Sequence, residues 1–272
     1  MACNHNCSSC GQNCSKNKEV LFPANPNNNI KKIIGVVSGK GGVGKSMVTS
    51  LLAVSLAKMG KKVGILDADI TGPSIPKAFG IKPGIEGTEE MLFPNKSKLG
   101  IKVMSINLLL DDPEAPVLWR GPVISSALRQ FYSDTLWEEL DYLLIDMPPG
   151  TADVAITIFQ SIPIDGVLIV STPQDLVKMI IGKAVGMCNQ VGVKILGLVE
   201  NMAYITCPCC NNPIYPFGTS KVVDVAKHYN IEPLISLPML PNLATLVDNG
   251  DIEKEDINEF MDLANKLDKL EL

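Results

Sequence analysis

The chain of 272 residues has no uninterrupted apolar run near the roughly 18 residues that a membrane span requires. Its first residues, Met-Ala-Cys-Asn-His, lack the charged stretch and apolar run of a secretory signal. No basic tract stands out among 24 basic and 29 acidic residues, and the net charge is −5. Together these absences argue against membrane, secreted and nucleic-acid-binding proteins and lead us to expect a cytoplasmic one. No repeat with a period of roughly 20–50 residues is visible, which sets aside solenoids and propellers. A cytoplasmic setting changes the meaning of the eight cysteines. Thiols there stay mostly reduced, and clustered ones more often bind metal than form disulfides.

What is present begins with residues 39–46, Gly-Lys-Gly-Gly-Val-Gly-Lys-Ser. They satisfy the phosphate-loop pattern G-x-x-x-x-G-K-[ST] and carry a second lysine, Lys40. Gly39, Gly41, Gly42 and Gly44, with Val43 between, let successive N–H groups turn toward phosphate oxygens. A helix beginning near Met47 offers its positive end to the same anion. Lys45 is spaced to reach the outer phosphates, and the Ser46 hydroxyl to ligate Mg²⁺. The alternative is a plain glycine-rich turn. The context opposes it, because an apolar run at Ile33–Val37 precedes the motif and a helical stretch, Met47–Met59, follows.

Short apolar runs alternate with helical stretches beyond Ile30. The runs are 33–37, 62–66, 102–106, 142–145, 166–170, 195–199 and 234–236; the helical stretches include 123–132, 176–190, 220–229 and 257–270. The pattern predicts an α/β fold: a single phosphate-loop domain with a mostly parallel sheet and helices on both faces. Residues 1–29 differ. They are rich in cysteine and asparagine and read as a tail plus a linker, Pro23 to Asn29, ahead of a nucleotide-hydrolysing domain at 30–272.

Hydrolysis needs carboxylates at the ends of neighbouring strands, where ligands of parallel sheets bind. Asp69, in Leu66-Asp67-Ala68-Asp69, is placed to orient or deprotonate the attacking water. Asp146, ending Leu144-Ile145-Asp146, is placed to hold Mg²⁺ at one remove, and Gly150 to sense the γ-phosphate. An isolated aspartate there would read equally well as a helix cap. Three motifs in order favour catalysis.

Lys40, the runs 67–76 (Asp-Ala-Asp-Ile-Thr-Gly-Pro-Ser-Ile-Pro), 119–122 (Trp-Arg-Gly-Pro), 146–153 (Asp-Met-Pro-Pro-Gly-Thr-Ala-Asp) and 171–175 (Ser-Thr-Pro-Gln-Asp), and Glu200-Asn201-Met202 followed by Cys-Pro-Cys-Cys at 207–210, together resemble one family. It is the Mrp/ApbC family of iron–sulfur carrier ATPases, in the deviant phosphate-loop class that includes MinD and the nitrogenase iron protein. The resemblance spans about residues 30–250. It implies ATP, Mg²⁺ and a 4Fe–4S cluster as cofactors, apo iron–sulfur proteins as acceptors, and a homodimer with two ATP sites at its interface. It implies that Lys40 reaches the partner's nucleotide, and that Asn201 and the segment around Pro238 flank the adenine. Thr71 departs from the family, where an aromatic residue is common.

Cys207 and Cys210 form C-x-x-C. Two thiolates are too few for tetrahedral zinc or a 4Fe–4S cluster, each of which takes four ligands; a two-fold axis would supply the rest. From spacing, a shared cluster, a zinc staple, a redox pair and plain structural cysteines all stand; the resemblance implies a labile 4Fe–4S cluster bridging two subunits. Cys3, Cys7, Cys10 and Cys14 give C-x₃-C-x₂-C-x₃-C, a second candidate metal centre, iron–sulfur or zinc, in a segment with too few apolar residues to fold without metal. His5 reads as a solvated residue and Cys188 as a core one. Two other functions compete with a cluster carrier: a MinD-like positioning switch without metal, and an ATP-driven electron carrier.

Overall fold

The computed structural model describes residues 22–69, 74–109, 121–150, 153–174 and 177–270. Cys3, Cys7, Cys10, Cys14, His5, Thr71, Trp119, Arg120, Thr151 and Asp175 lie outside them. The strands are β1 (Asn29–Ser38), β2 (Val63–Asp67), β3 (Glu86–Gly87), β4 (Leu92–Phe93), β5 (Asn95–Lys96), β6 (Lys102–Ser105), β7 (Glu139–Asp146), β8 (Gly166–Ser171), β9 (Ile195–Thr206), β10 (Pro213–Ile214) and β11 (Pro233–Pro238). The helices are α1 (Lys45–Lys58), α2 (Ser74–Ala78), α3 (Gly121–Ser133), α4 (Asp153–Ser161), α5 (Val177–Val191), α6 (Val222–Tyr229), α7 (Leu243–Asp248) and α8 (Asn258–Asp268).

Seven strands run parallel in the order β11-β9-β8-β1-β7-β2-β6, with β5 antiparallel on β6 and β10 antiparallel on the outer end of β9. Every residue of β2 and β8 is buried, as are the last six of β1. Continuous burial means that both faces are covered, and two cores do this. One packs α3, α4, α5 and α6 on the sheet through residues such as Phe131, Phe159 and Ile181. The other packs α1, α2 and α8 through Val48, Leu52, Ile75 and Leu263. The α8 stripe, Phe260, Leu263, Ala264 and Leu267, has the spacing of one helical face. The chain leaves β1 for β2 on one side and later fills β8, β9 and β11 on the other. That reversal opens a crevice at the carboxyl ends of the central strands.

All seven anticipated strands are present, with two informative differences. β9 does not stop at Val199 but continues to Thr206. Its polar residues Glu200 and Asn201 end the apolar run in the sequence, yet both are buried and hydrogen-bonded to neighbouring segments. Residues 23–29, read as a linker, lie against the domain, as does Phe22 before them. Phe22 is buried, Asn28 Nδ2 donates to the Thr135 carbonyl at 2.9 Å, and Asn29 already belongs to β1. No described helix is long and apolar enough to cross a membrane.

Candidate functional site

The loop after β1 wraps a cavity of about 600 Å³ at the carboxyl edge of the sheet. Gly41, Gly42, Val43, Gly44, Lys45, Ser46 and Met47 line it, with Asp69, Lys77 and Pro149 across the opening. Gly44 has φ 79°. A Cβ there would collide with the Asn201 amide, so the position demands glycine on two grounds. Gly39 presses on α5, where a Cβ would strike the Ile180 carbonyl. The first turn of α1 carries no side-chain cap, so its leading N–H groups face the cavity unused by any capping side chain. The cavity size, these donors and the buried lysine suit a phosphate-bearing ligand.

Strand register brings the charged groups together. β1, β7 and β2 are neighbours, and Asp67 pairs with Asp146 across β2 and β7. The Lys45 ammonium lies 2.8 Å from Asp146 Oδ1 and 3.4 Å from Asp69 Oδ2. Ser46 Oγ donates to Asp146 Oδ2 at 2.5 Å, and Thr49 Oγ1 donates to Oδ1 at 2.9 Å. Thus Asp146, fully buried, gathers three side chains from the start of α1. Asp67 is also buried and accepts from Ser105 Oγ at 2.8 Å and from the Asp69 N–H at 3.1 Å. Burial first, and the adjacent Asp146 second, push the Asp67 carboxyl well above the usual carboxylate range.

Other anticipated residues occupy the rim. Lys40 Nζ donates to Gln174 Oε1 at 2.5 Å, reaching the loop after β8. The Gly150 N–H donates to the Ser38 carbonyl at 2.9 Å. Asn201 Nδ2 donates to the Val43 carbonyl at 2.9 Å, bracing the phosphate loop from behind. Pro238, buried, stands opposite Tyr204 where β11 ends. Thr49, Asp67 and Gln174 received no role from the sequence. Thr49 had a signal, since it lies four residues after Lys45 on the same face of α1.

Cys207 and Cys210 lie beyond this edge, in the turn joining β9 to β10. The turn closes through Cys207 N–H to the Asn212 carbonyl (3.0 Å) and Asn211 N–H to the Cys207 carbonyl (2.9 Å). Backbone N–H groups of Cys209 and Cys210 point at the Cys207 sulfur and lower its pKa, favouring the thiolate that metals bind. Cys209 and Cys210 are exposed. Among the described residues no three His, Cys, Asp or Glu side chains are grouped to hold a metal ion, so the pair finds no full ligand set among them. Cys188 is a core residue of α5, and burial pushes its thiol up to about 11.

Residues 29–269 match the ParA family model described as NUBPL iron-transfer P-loop NTPase. An iron-sulfur cluster carrier protein of Clostridium perfringens is 49% identical over 234 residues, covering 83% of this chain and 82% of that one. Among solved structures, a nucleotide-binding protein of Archaeoglobus fulgidus in complex with ADP is 45% identical. It superimposes with a TM-score of 0.76 over 85% of this chain and 90% of its own. MinD of Aquifex aeolicus, 20% identical with a TM-score of 0.63, covers 89% and 98%, and shares the fold.

Proposed function

The chain belongs to the NUBPL iron-transfer P-loop NTPase family, and from that premise we propose that it is a cytoplasmic, ATP-hydrolysing iron–sulfur carrier. It holds a labile 4Fe–4S cluster between two copies of itself and passes it to apo-proteins. The observation that carries this reading is the cysteine turn. It places the half-buried Cys207 beside the exposed Cys209 and Cys210, with backbone N–H groups aimed at the Cys207 sulfur, and it grows from the strand whose Asn201 braces the phosphate loop. A MinD-like positioning switch has no use for such a turn.

In the cleft, Lys45 exchanges its carboxylate partners for phosphate oxygens of ATP. Gly39 through Ser46 and the start of α1 supply N–H donors, and Met47 lines the wall. Ser46 Oγ would hold Mg²⁺, with Asp146 orienting that hydroxyl, and the ion would supply charge neutralisation at the phosphates. Asp69 takes the proton of the attacking water. Gly150 follows the γ-phosphate by giving up the Ser38 carbonyl. Asn201 and the segment around Pro238 flank the adenine. Lys40 leaves Gln174 and crosses to the nucleotide of the second copy, so hydrolysis requires the dimer. Cys3, Cys7, Cys10 and Cys14 bind a second metal centre, iron–sulfur or zinc.

A Cys207→Ala chain tests the cargo. Reconstituted without residues 1–20, it should lose the broad charge-transfer absorption that the parent gains. Cys209→Ala should keep it. A Cys207→Ala chain with the full absorption would overturn the assignment.

A further inference from the structure

Glu200 is a carboxylate with 2% exposure outside the nucleotide cleft. It is also the residue before Asn201. Its Oε2 accepts from Ser236 Oγ of β11, and its Oε1 accepts from Ser220 Oγ, both at 2.7 Å. Ser220 is where the chain returns from its excursion through the cysteine turn and β10. Its hydroxyl also accepts the Val222 N–H at 3.1 Å and so opens α6. Glu200 therefore ties the return leg of the cysteine excursion to the sheet.

The outgoing leg is fixed at the same place. β9 and β11 pair at Glu200–Ser236 and again at Tyr204–Pro238, so two residues of advance on β11 face four on β9. The surplus bulges between Asn201 and Ala203, and Met202 adopts φ 56°, which is rare for a residue with a side chain. This bulge aims Asn201 at the Val43 carbonyl of the phosphate loop. Pairing then resumes with the Met239 N–H donating to the Tyr204 carbonyl at 2.7 Å, two residues before Thr206. Both legs of the cysteine excursion and one wall of the phosphate loop thus meet at two consecutive side chains.

We propose that Glu200 is a positioning residue that couples the nucleotide loop to the cysteine turn. Displacement of Val43 by a nucleotide moves Asn201. The Glu200 clamp makes both legs of the excursion move with it, which changes how Cys207 and Cys210 are presented. The consequence for cluster release rests on the carrier reading; the mechanical coupling does not.

The test uses metal-free protein, so failure of the carrier reading and failure of the coupling are separable. Amide hydrogen exchange of residues 203–219 is measured with and without Mg-ADP in the parent, Glu200→Gln and Ser220→Ala chains. The parent should show an ADP-induced change in this segment. Both variants should keep the parental ADP affinity and lose that change. A merely structural carboxylate would raise exchange equally with and without ADP and leave the difference intact, which would overturn the proposal. So would a parent whose segment ignores ADP. Ser236→Ala, which keeps the Ser220 tie, serves if Glu200→Gln fails to fold, and it should retain part of the ADP-induced change. Loss of the change with Ser236→Ala but not with Ser220→Ala would also overturn it.

Discussion

Replacing Lys45 by alanine should have two effects of different origin. In nucleotide-free protein Lys45 is 5% exposed and lies 2.8 Å from the fully buried Asp146 and 3.4 Å from Asp69. Removing one partner from a buried pair costs about 3–5 kcal/mol, because the other charge stays buried. For a chain of this size about 1 kcal/mol corresponds to 2–4 °C, so the melting temperature should fall by roughly 6–20 °C. The loss should depend on pH. Without the lysine, the buried Asp67 carboxyl loses a cation that lowers its pKa, so its already raised folded-state value rises further. The penalty is then present at pH 8, where that carboxyl is charged, and shrinks as pH falls through the raised value. With ATP, the missing phosphate contact adds about 1.5–3 kcal/mol, roughly a 10- to 150-fold loss in affinity or turnover. Differential scanning calorimetry at pH 5.5 and 8, paired with a phosphate-release assay, reads both. Melting points equal to the parent's at both pH values would show that Lys45 does not balance these carboxylates, and parental turnover would show that it does not serve ATP.

Asp67→Asn should stabilise the nucleotide-free protein. The folded pKa of Asp67 is raised, so the stability its neutral form allows is lost as pH rises through that value. The variant's gain in calorimetry should be largest at pH 8 and vanish below the usual aspartate range; an unchanged or lower melting point at pH 8 contradicts this. Lys40→Ala chains mixed with Lys45→Ala chains, each inactive alone, should partly recover hydrolysis, because the intact pocket borrows its lysine from the other subunit. Mixed dimers that stay inactive count against action in trans. Removing residues 1–20 should lower iron content and leave nucleotide affinity unchanged in titration calorimetry. Removing residues 1–28 should also cost about 3 kcal/mol in a denaturant melt, because it takes away buried Phe22.

The fold was legible because its strands are apolar runs buried on both faces, and β2, β7 and β8 read as such without ambiguity. The phosphate loop was legible because glycine spacing and Lys-Ser follow from the backbone turn itself. What escaped was polar and non-local. Glu200 and Asn201 ended an apolar run, yet they continue β9 because Ser220, Ser236 and the Val43 carbonyl satisfy them. Nothing in a linear pattern announces partners that lie 20, 36 and 158 positions away. The Pro- and Asn-rich stretch 23–29 looked like linker by composition, but Phe22 and Asn28 find buried partners on the far edge of the sheet. Short α2 and α7, five and six residues long, carry too little periodicity to be seen.

Metal content decides between carrier and positioning switch. Protein purified without oxygen and lacking residues 1–20 should hold about four irons per dimer, with little zinc and a broad charge-transfer absorption. Adding an apo-protein that takes a 4Fe–4S cluster should move both iron and absorption to that acceptor. Zinc in place of iron, no metal at the turn, or a cluster that stays behind would contradict the carrier function.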